Sequence, residues 1–291
     1  MKLLSPVIAT HGGAGTSRSL NPQCELAAWR GYELMLQDNN SSYHGSVQAV
    51  MILEDDGRFN AGRGADRRLD GKPRMDASVM TKGKVGAVIG LTDVRHPSLV
   101  AMKIADDGTF VCLHGEGAKE FARLHKFRNF ESSETANQRY NETIGMLSSE
   151  QLERFTQWDF QSIPYEEPVV SDTVGAVAWH HGISSVTLST GGWGAMPPGR
   201  VGDVAFFGRG SIAGKHGAVA MTGKGEVIVR WNMATKIYHQ MASGMHPEKA
   251  CQTVINRVSK STPIGAIAVS GKGFAGTYCN VSMACAMIQN V

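Results

Sequence analysis

Apolar residues change their rhythm from one segment of this chain to the next, and the rhythm predicts the elements. Residues 7–10 form a short, almost wholly apolar run, as in a buried strand, that leads into His11-Gly12-Gly13-Ala14-Gly15, where closely spaced glycines let backbone approach backbone or ligand. Over 25–37, Leu26, Ala27, Trp29, Tyr32, Leu34 and Met35 recur at helical spacing, and Val47, Ala49, Val50, Met51 and Leu53 predict a second helix over 46–53. Residues 74–81 and 85–91 predict paired strands turned at Lys82-Gly83-Lys84, with a helix over 98–105.

From about 129 to 172 the composition shifts to Glu, Ser, Gln, Asn and Arg, which predicts a polar linker with a short helix at 149–158. Short strands follow at 174–179, 184–188, 218–221 and 227–229, separated by glycine-rich turns. Helices are expected over 232–241 and 247–258, and a hairpin of 264–269 with 273–278 around Ser270-Gly271-Lys272 would finish the chain. Runs of strands and runs of helices, without strict alternation, predict an α+β fold whose sheets pack face to face with helices outside. The 291 residues are expected to make one domain.

Net charge is +3 with scattered Lys and Arg, which offers no footprint for nucleic acid and favours small partners. No apolar run approaches the roughly 18 residues of a membrane span, and residues 1–6 lack the pattern of a secretory signal. Cys24, Cys112, Cys251, Cys279 and Cys285 are odd in number and lack CxxC or Cys/His spacing, so neither a disulfide framework nor a zinc site is expected, and a reducing, cytoplasmic setting fits.

The candidate chemistry is concentrated after the linker. Three Thr- and Gly-rich clusters stand there: Asp172-Thr173-Val174-Gly175, Ser189-Thr190-Gly191-Gly192, and Thr222-Gly223-Lys224-Gly225-Glu226. Between the last two lies Pro198-Gly199-Arg200-Val201-Gly202-Asp203. Singly each is an ordinary turn. A threonine hydroxyl becomes a good nucleophile only when a base takes its proton, and a free α-amino group serves if the threonine begins a chain. Thr173 is the candidate, and the flexible polar segment before it suits release by cleavage. Its β-branching equally suits the first position of an ordinary strand.

In order and spacing these clusters, with His11-Gly12-Gly13-Ala14-Gly15, Phe59-Asn60-Ala61-Gly62, Met75-Asp76-Ala77-Ser78-Val79-Met80 and Gly115-Glu116-Gly117-Ala118, resemble the plant-type L-asparaginase/isoaspartyl peptidase family over nearly the whole chain. The resemblance implies a four-layer αββα sandwich of the N-terminal nucleophile hydrolases. It implies autocatalytic cleavage between Asp172 and Thr173 into an α subunit (1–172) and a β subunit (173–291), and a homodimer of such units. It further implies hydrolysis of isoaspartyl dipeptides and L-asparagine through a β-aspartyl ester on Thr173. Thr190 resembles the second active-site threonine, and Thr222 with the Gly223 N–H the oxyanion donors. Arg200 and Asp203 would hold a substrate's carboxylate and ammonium, with the bidentate geometry of Arg favouring it over Lys. Asn60 is similar to an asparagine near the nucleophile. No cofactor is required, but the loop 53–63 resembles one that binds a structural sodium through the main-chain carbonyls of Leu53, Glu54, Asp56, Phe59, Ala61 and Arg63, oxygens that suit a hard cation. His11, in its glycine loop, is read as structural rather than as a base.

Three features depart from the family pattern. Trp193-Gly194-Ala195-Met196 replaces the usual Asn-Lys before Pro-Gly-Arg, Arg209 interrupts Gly208-Arg209-Gly210 with a charge near the pocket, and Asp rather than Gly precedes the nucleophile. The last is closer to glycosylasparaginases and taspase-like threonine proteases, which stay open as alternatives together with an unprocessed, inactive homologue. A nucleotide-binding loop at Gly217 to Lys224 is disfavoured, because its glycine spacing is wrong and Gly225 stands where Ser or Thr is needed.

Overall fold

The computed structural model describes residues 6–37, 41–157 and 173–289. Strand β1 (Val7–Ala14) is followed by helices α1 (Asn21–Gln37) and α2 (Ser41–Asp56), strands β2 (Met75–Thr81) and β3 (Lys84–Leu91), and α3 (Pro97–Asp107). Next come β4 (Cys112–His114), α4 (Gly115–Leu124), α5 (Glu134–Gly145) and α6 (Ser149–Thr156). Strands β5 (Val174–His180), β6 (Ile183–Thr190), β7 (Ser211–Gly214) and β8 (Gly217–Gly223) precede α7 (Gly225–Trp231), α8 (Met233–Ala242) and α9 (Pro247–Ile255). Strands β9 (Ile264–Ser270), β10 (Ala275–Cys279) and β11 (Met283–Ile288) end the described chain.

Two sheets result, one of seven strands in the order β11-β1-β5-β6-β2-β3-β4 and one of four in the order β10-β9-β8-β7. All neighbours are antiparallel except β3 and β4. The sheets face each other through Val177, Val186 and Leu188 on one side and Ala218, Ala220, Ile267 and Val269 on the other. Helices α1 and α2 cover the outer face of the large sheet around Ile8, Val174 and Ala176, while α3 and α4 cover its β2–β3 end. Helices α7 to α9 cover the small sheet. This is the expected αββα layering. Strands β1 and β5 lie between two apolar layers, which is why all their residues are buried and their sequences run apolar without alternation.

Several local expectations are corrected. Residues 227–229, Val-Ile-Val, lie in α7 rather than in a strand. The Lys224 carbonyl accepts the Val227 and Ile228 N–H groups at 3.0 Å, and Asn232, at φ 52°, closes the helix in the left-handed conformation that Asn tolerates. The chain does not finish in the 264–278 hairpin, since β11 returns to the large sheet and pairs with β1. His11 sits in a strand, not a loop, because β1 runs on through the glycines. Gly217–Gly223 is a continuous strand, so no phosphate-binding loop exists there. Within the polar stretch after 129, α5 is docked on the loop 57–72: the Ser133 N–H donates to Arg63 O at 2.7 Å and the Ser133 hydroxyl to Gly57 O at 2.7 Å.

Candidate active site

Thr173 immediately precedes β5 and is 5% exposed. Val174 of β5 pairs with Ser189 of β6, so one more step of the register sets Thr173 opposite Thr190. On the other flank His11 of β1 pairs with Gly175, and two more steps bring Thr173 alongside Gly13 and Ala14. There the Ala14 N–H donates to Thr222 Oγ1 at 3.0 Å across the two sheets. Three threonines far apart in sequence are thus gathered at one end of the sandwich. The remaining expected partner, Asp172, lies outside the described residues.

Thr222 and Gly223 end β8. A hydroxyl that accepts from Ala14 retains its own proton to donate. Gly223 has φ 118°, and a Cβ on it would collide with the Pro263 carbonyl, so the backbone reaches this position only as glycine. Thr190 Oγ1 accepts the Gly192 N–H at 2.9 Å, capping the glycine turn. Asn60, 1% exposed, braces the same turn: Nδ2 donates to Gly192 O at 2.6 Å, its carbonyl accepts the Gly191 N–H at 3.0 Å, and Oδ1 accepts the Asp66 N–H at 2.7 Å.

Arg200 and Asp203 both lie against the backbone of Gly225, two residues beyond Gly223. They do not pair with each other among the described residues. Arg200 donates through Nε and Nη2 to Glu226 Oε1 at 3.0 and 2.8 Å, and its guanidinium lies 5.4 Å from the Trp193 ring centroid. Asp203 is 4% exposed, and its Oδ2 has no hydrogen-bond partner among the described residues. Burial pushes its carboxyl up to about 7, with the Arg200 charge opposing. A buried carboxyl oxygen without a partner is costly unless a donor satisfies it.

His11 is fully buried beside Gly175, and burial drives its pKa down to about 3, the Thr173 backbone partly opposing. It is a neutral ring near pH 7 and too weak a base to take the proton of Thr173. Of the carbonyls read as sodium ligands, those of Leu53, Glu54 and Asp56 lie in the last turns of α2 rather than in a loop, and those of Phe59, Ala61 and Arg63 follow it; Gly62, at φ 53°, packs on the Glu54 carbonyl and Gly64 on the carbonyls of Phe59 and Gly57, with no room for a Cβ at either. The Ala61 and Arg63 carbonyls each accept one N–H and keep a second lone pair. Oxygen donors of this kind fit a hard monovalent cation.

A family model described as asparaginase matches residues 4–291. The chain belongs to the asparaginase family. It is 34% identical over 285 residues to the plant-type L-asparaginase of Thermococcus kodakarensis, covering 92% of this chain and 91% of that one. It is 34% identical over 264 residues to the isoaspartyl peptidase of Escherichia coli, covering 86% and 81%. With the isoaspartyl peptidase/L-asparaginase of Xenopus laevis it shares 30% over 262 residues, covering 87% and 81%. Membership makes the protein a hydrolase with the α+β sandwich of the N-terminal nucleophile class.

For this member of the asparaginase family, the structure also brings forward residues that sequence reasoning missed. Glu226, quoted in a motif but given no role, anchors Arg200. Arg68, 1% exposed, lies under Gly192, where it donates to Trp193 O at 3.4 Å and Arg74 O at 3.2 Å and faces the buried Asp76. No local signal marked either, since each partner is remote in sequence or hidden in a polar run. Arg209, expected to add charge to the pocket, instead donates to Val229 O at 3.1 Å at the C-terminal end of α7, where unpaired carbonyls attract a cation. No described helix is long and apolar enough to cross a membrane.

Proposed function

We propose that the chain cleaves itself between Asp172 and Thr173 and then hydrolyses isoaspartyl dipeptides and L-asparagine, with Thr173 as nucleophile. The observation that carries this reading is the convergence of Thr173, Thr190 and the Thr222–Gly223 strand end, from two different sheets, with Arg200 and the buried Asp203 set against Gly225 two residues beyond. The names of the relatives, L-asparaginase and isoaspartyl peptidase, support the substrate class.

In processing, Thr173 Oγ attacks the Asp172 carbonyl carbon, the amide nitrogen departs as the Thr173 amine, and water hydrolyses the resulting ester. The new α-amino group, with an ordinary pKa near 8, then serves as base for its own hydroxyl. In turnover the Thr173 oxygen adds to the substrate's side-chain carbonyl, and the Thr222 hydroxyl and Gly223 N–H hold the oxyanion. The leaving amine takes the proton and departs, and water releases aspartate from the β-aspartyl ester. Arg200, held in its orientation by Glu226, binds the α-carboxylate, while Asp203 takes the α-ammonium. Each oxyanion donor is expected to contribute roughly 3 kcal/mol to the transition state. The reading includes a structural sodium in the 53–63 loop, a homodimer of α/β units and a cytoplasmic setting.

Intact-mass spectrometry after days at neutral pH, with Thr173→Ala as control, tests the proposal. Fragments dividing between Asp172 and Thr173, absent in the control, together with turnover of a β-aspartyl dipeptide and L-asparagine, are expected. A chain that stays whole and inactive would leave an unprocessed homologue as the better reading.

A further inference from the structure

Helix α5 lies in the polar stretch that the sequence marks as linker, yet one of its side chains reaches the back of the site. Arg139 spreads its guanidinium over three acceptors: Nε donates to Asp66 Oδ1 at 2.8 Å, Nη1 to Arg58 O at 3.0 Å, and Nη2 to Gly64 O. Asp66 is 8% exposed, and burial holds its carboxyl above the usual carboxylate range, with the Arg139 charge the largest opposing influence. The Asp66 N–H in turn donates to Asn60 Oδ1, and the Asn60 side chain holds Gly192 O. The chain of contacts therefore runs from α5 through Asp66 and Asn60 to the turn that Thr190 caps. Gly191 packs so closely on Asn60 and Asp66 that a Cβ would collide with both, so movement of the 60–66 loop is passed to the turn rather than absorbed.

We propose that Arg139 is a positioning residue for the reaction. Its planar fork fixes the 58–66 loop, and through Asn60 it fixes the glycine turn and the Thr190 hydroxyl opposite the nucleophile. The polar segment up to α5 is then a working part of the enzyme rather than a bare linker. Charge alone does not suffice, because a lysine cannot serve three acceptors in one plane. The proposal rests on the active-site reading above in so far as it concerns rate, while the mechanical coupling stands on the hydrogen bonds alone.

The test compares wild type with Arg139→Ala, Arg139→Lys and Asp66→Asn by hydrogen exchange, steady-state kinetics and thermal melting. In Arg139→Ala, amides of 60–67 and 191–196 should exchange faster while those of β5 and β6 stay protected. Its kcat on L-asparagine should fall roughly ten-fold with KM nearly unchanged, as expected for a misplaced catalytic group. Millimolar guanidinium should restore part of that loss, and Arg139→Lys should stay impaired. Unchanged exchange at 191–196 would overturn the coupling. A rate loss that tracks melting temperature and resists guanidinium would reduce Arg139 to a structural residue. If Arg139→Ala fails to fold, Asp66→Asn carries the same comparison. If wild type hydrolyses neither substrate, the functional reading fails, and the exchange data still decide whether α5 controls the turn.

Discussion

Asp203 shows how a single residue's surroundings dictate a pH response. Its carboxyl, raised to about 7 by burial, must be ionised to receive an ammonium. As pH falls through that value the group takes a proton, the ammonium loses its partner, and KM should rise. Once substrate is bound, its cation stabilises the carboxylate, so this ionisation should leave kcat. The acid limb of kcat belongs instead to the Thr173 amine, which must be neutral to act as base and has an ordinary pKa of roughly 7.7–8.0. Asp203→Asn should therefore have a high KM that no longer varies with pH below about 7, with the kcat limb unchanged. A pH series of kcat and KM on both enzymes checks this, and an Asn variant that kept the wild-type KM profile would remove Asp203 from the ammonium site. Thr173, Thr190, Thr222 and Gly223 stood out in the sequence through the order and spacing of their glycine-flanked clusters, and the register brings those clusters to one end of the sandwich. Glu226, Arg68 and Arg139 did not stand out, since their roles depend on partners 26 to 125 residues away.

At the scale of elements, what was readable is whatever local pattern decides. The alternation from apolar strand to amphipathic helix located β1 to β3, α1 to α3 and β5, because each buries a face or both faces in one of the apolar layers. Residues 227–229 show the limit: β-branched side chains favour a strand, but β8 already has β7 and β9 on its two edges, and the turn at Lys224 starts a helix that buries Ile228 against Met233 and Ile237. Close approach between elements is equally invisible in the sequence. Helix α3 crosses β3 at Gly86, where a Cβ would collide with the Ala101 carbonyl and approach Ala105 N to 2.6 Å. Gly86→Ala should therefore push α3 from the sheet and cost roughly 1–3 kcal/mol, the usual range for overpacking. Denaturant unfolding measures it. Because β2 and β6 stand between β3 and β5, kcat per folded molecule should not change.

The strand order of the large sheet decides what cleavage does to the molecule. Strands β11, β5 and β6 come from the segment after Thr173, and β1, β2, β3 and β4 from the segment before it. In the order β11-β1-β5-β6-β2-β3-β4 the two segments interleave, with β1 flanked on both sides by strands of the other half. Three ladders, β11 with β1, β1 with β5, and β6 with β2, thus join the halves by main-chain hydrogen bonds. Ala14 to Thr222 adds a further link between the large and small sheets. Two apolar layers spanning both halves, one around Ile8, Val174 and Ala284 and one around Val7, Val177 and Ile267, bury these ladders from either side. Local patterning foretold two sheets but not this interleaving, because Ile8 pairs with Ile288 across almost the whole sequence. Cleavage at Asp172–Thr173 should therefore leave one compact particle. On size exclusion in native buffer the processed protein should elute at the volume of the intact Thr173→Ala chain, and the fragments should part only in denaturant. The expected unfolding of both fragments is a single transition, since separation would leave three ladders unpaired and the shared apolar layers exposed. Fragments that separated in native buffer would mean that the two halves do not share one sheet.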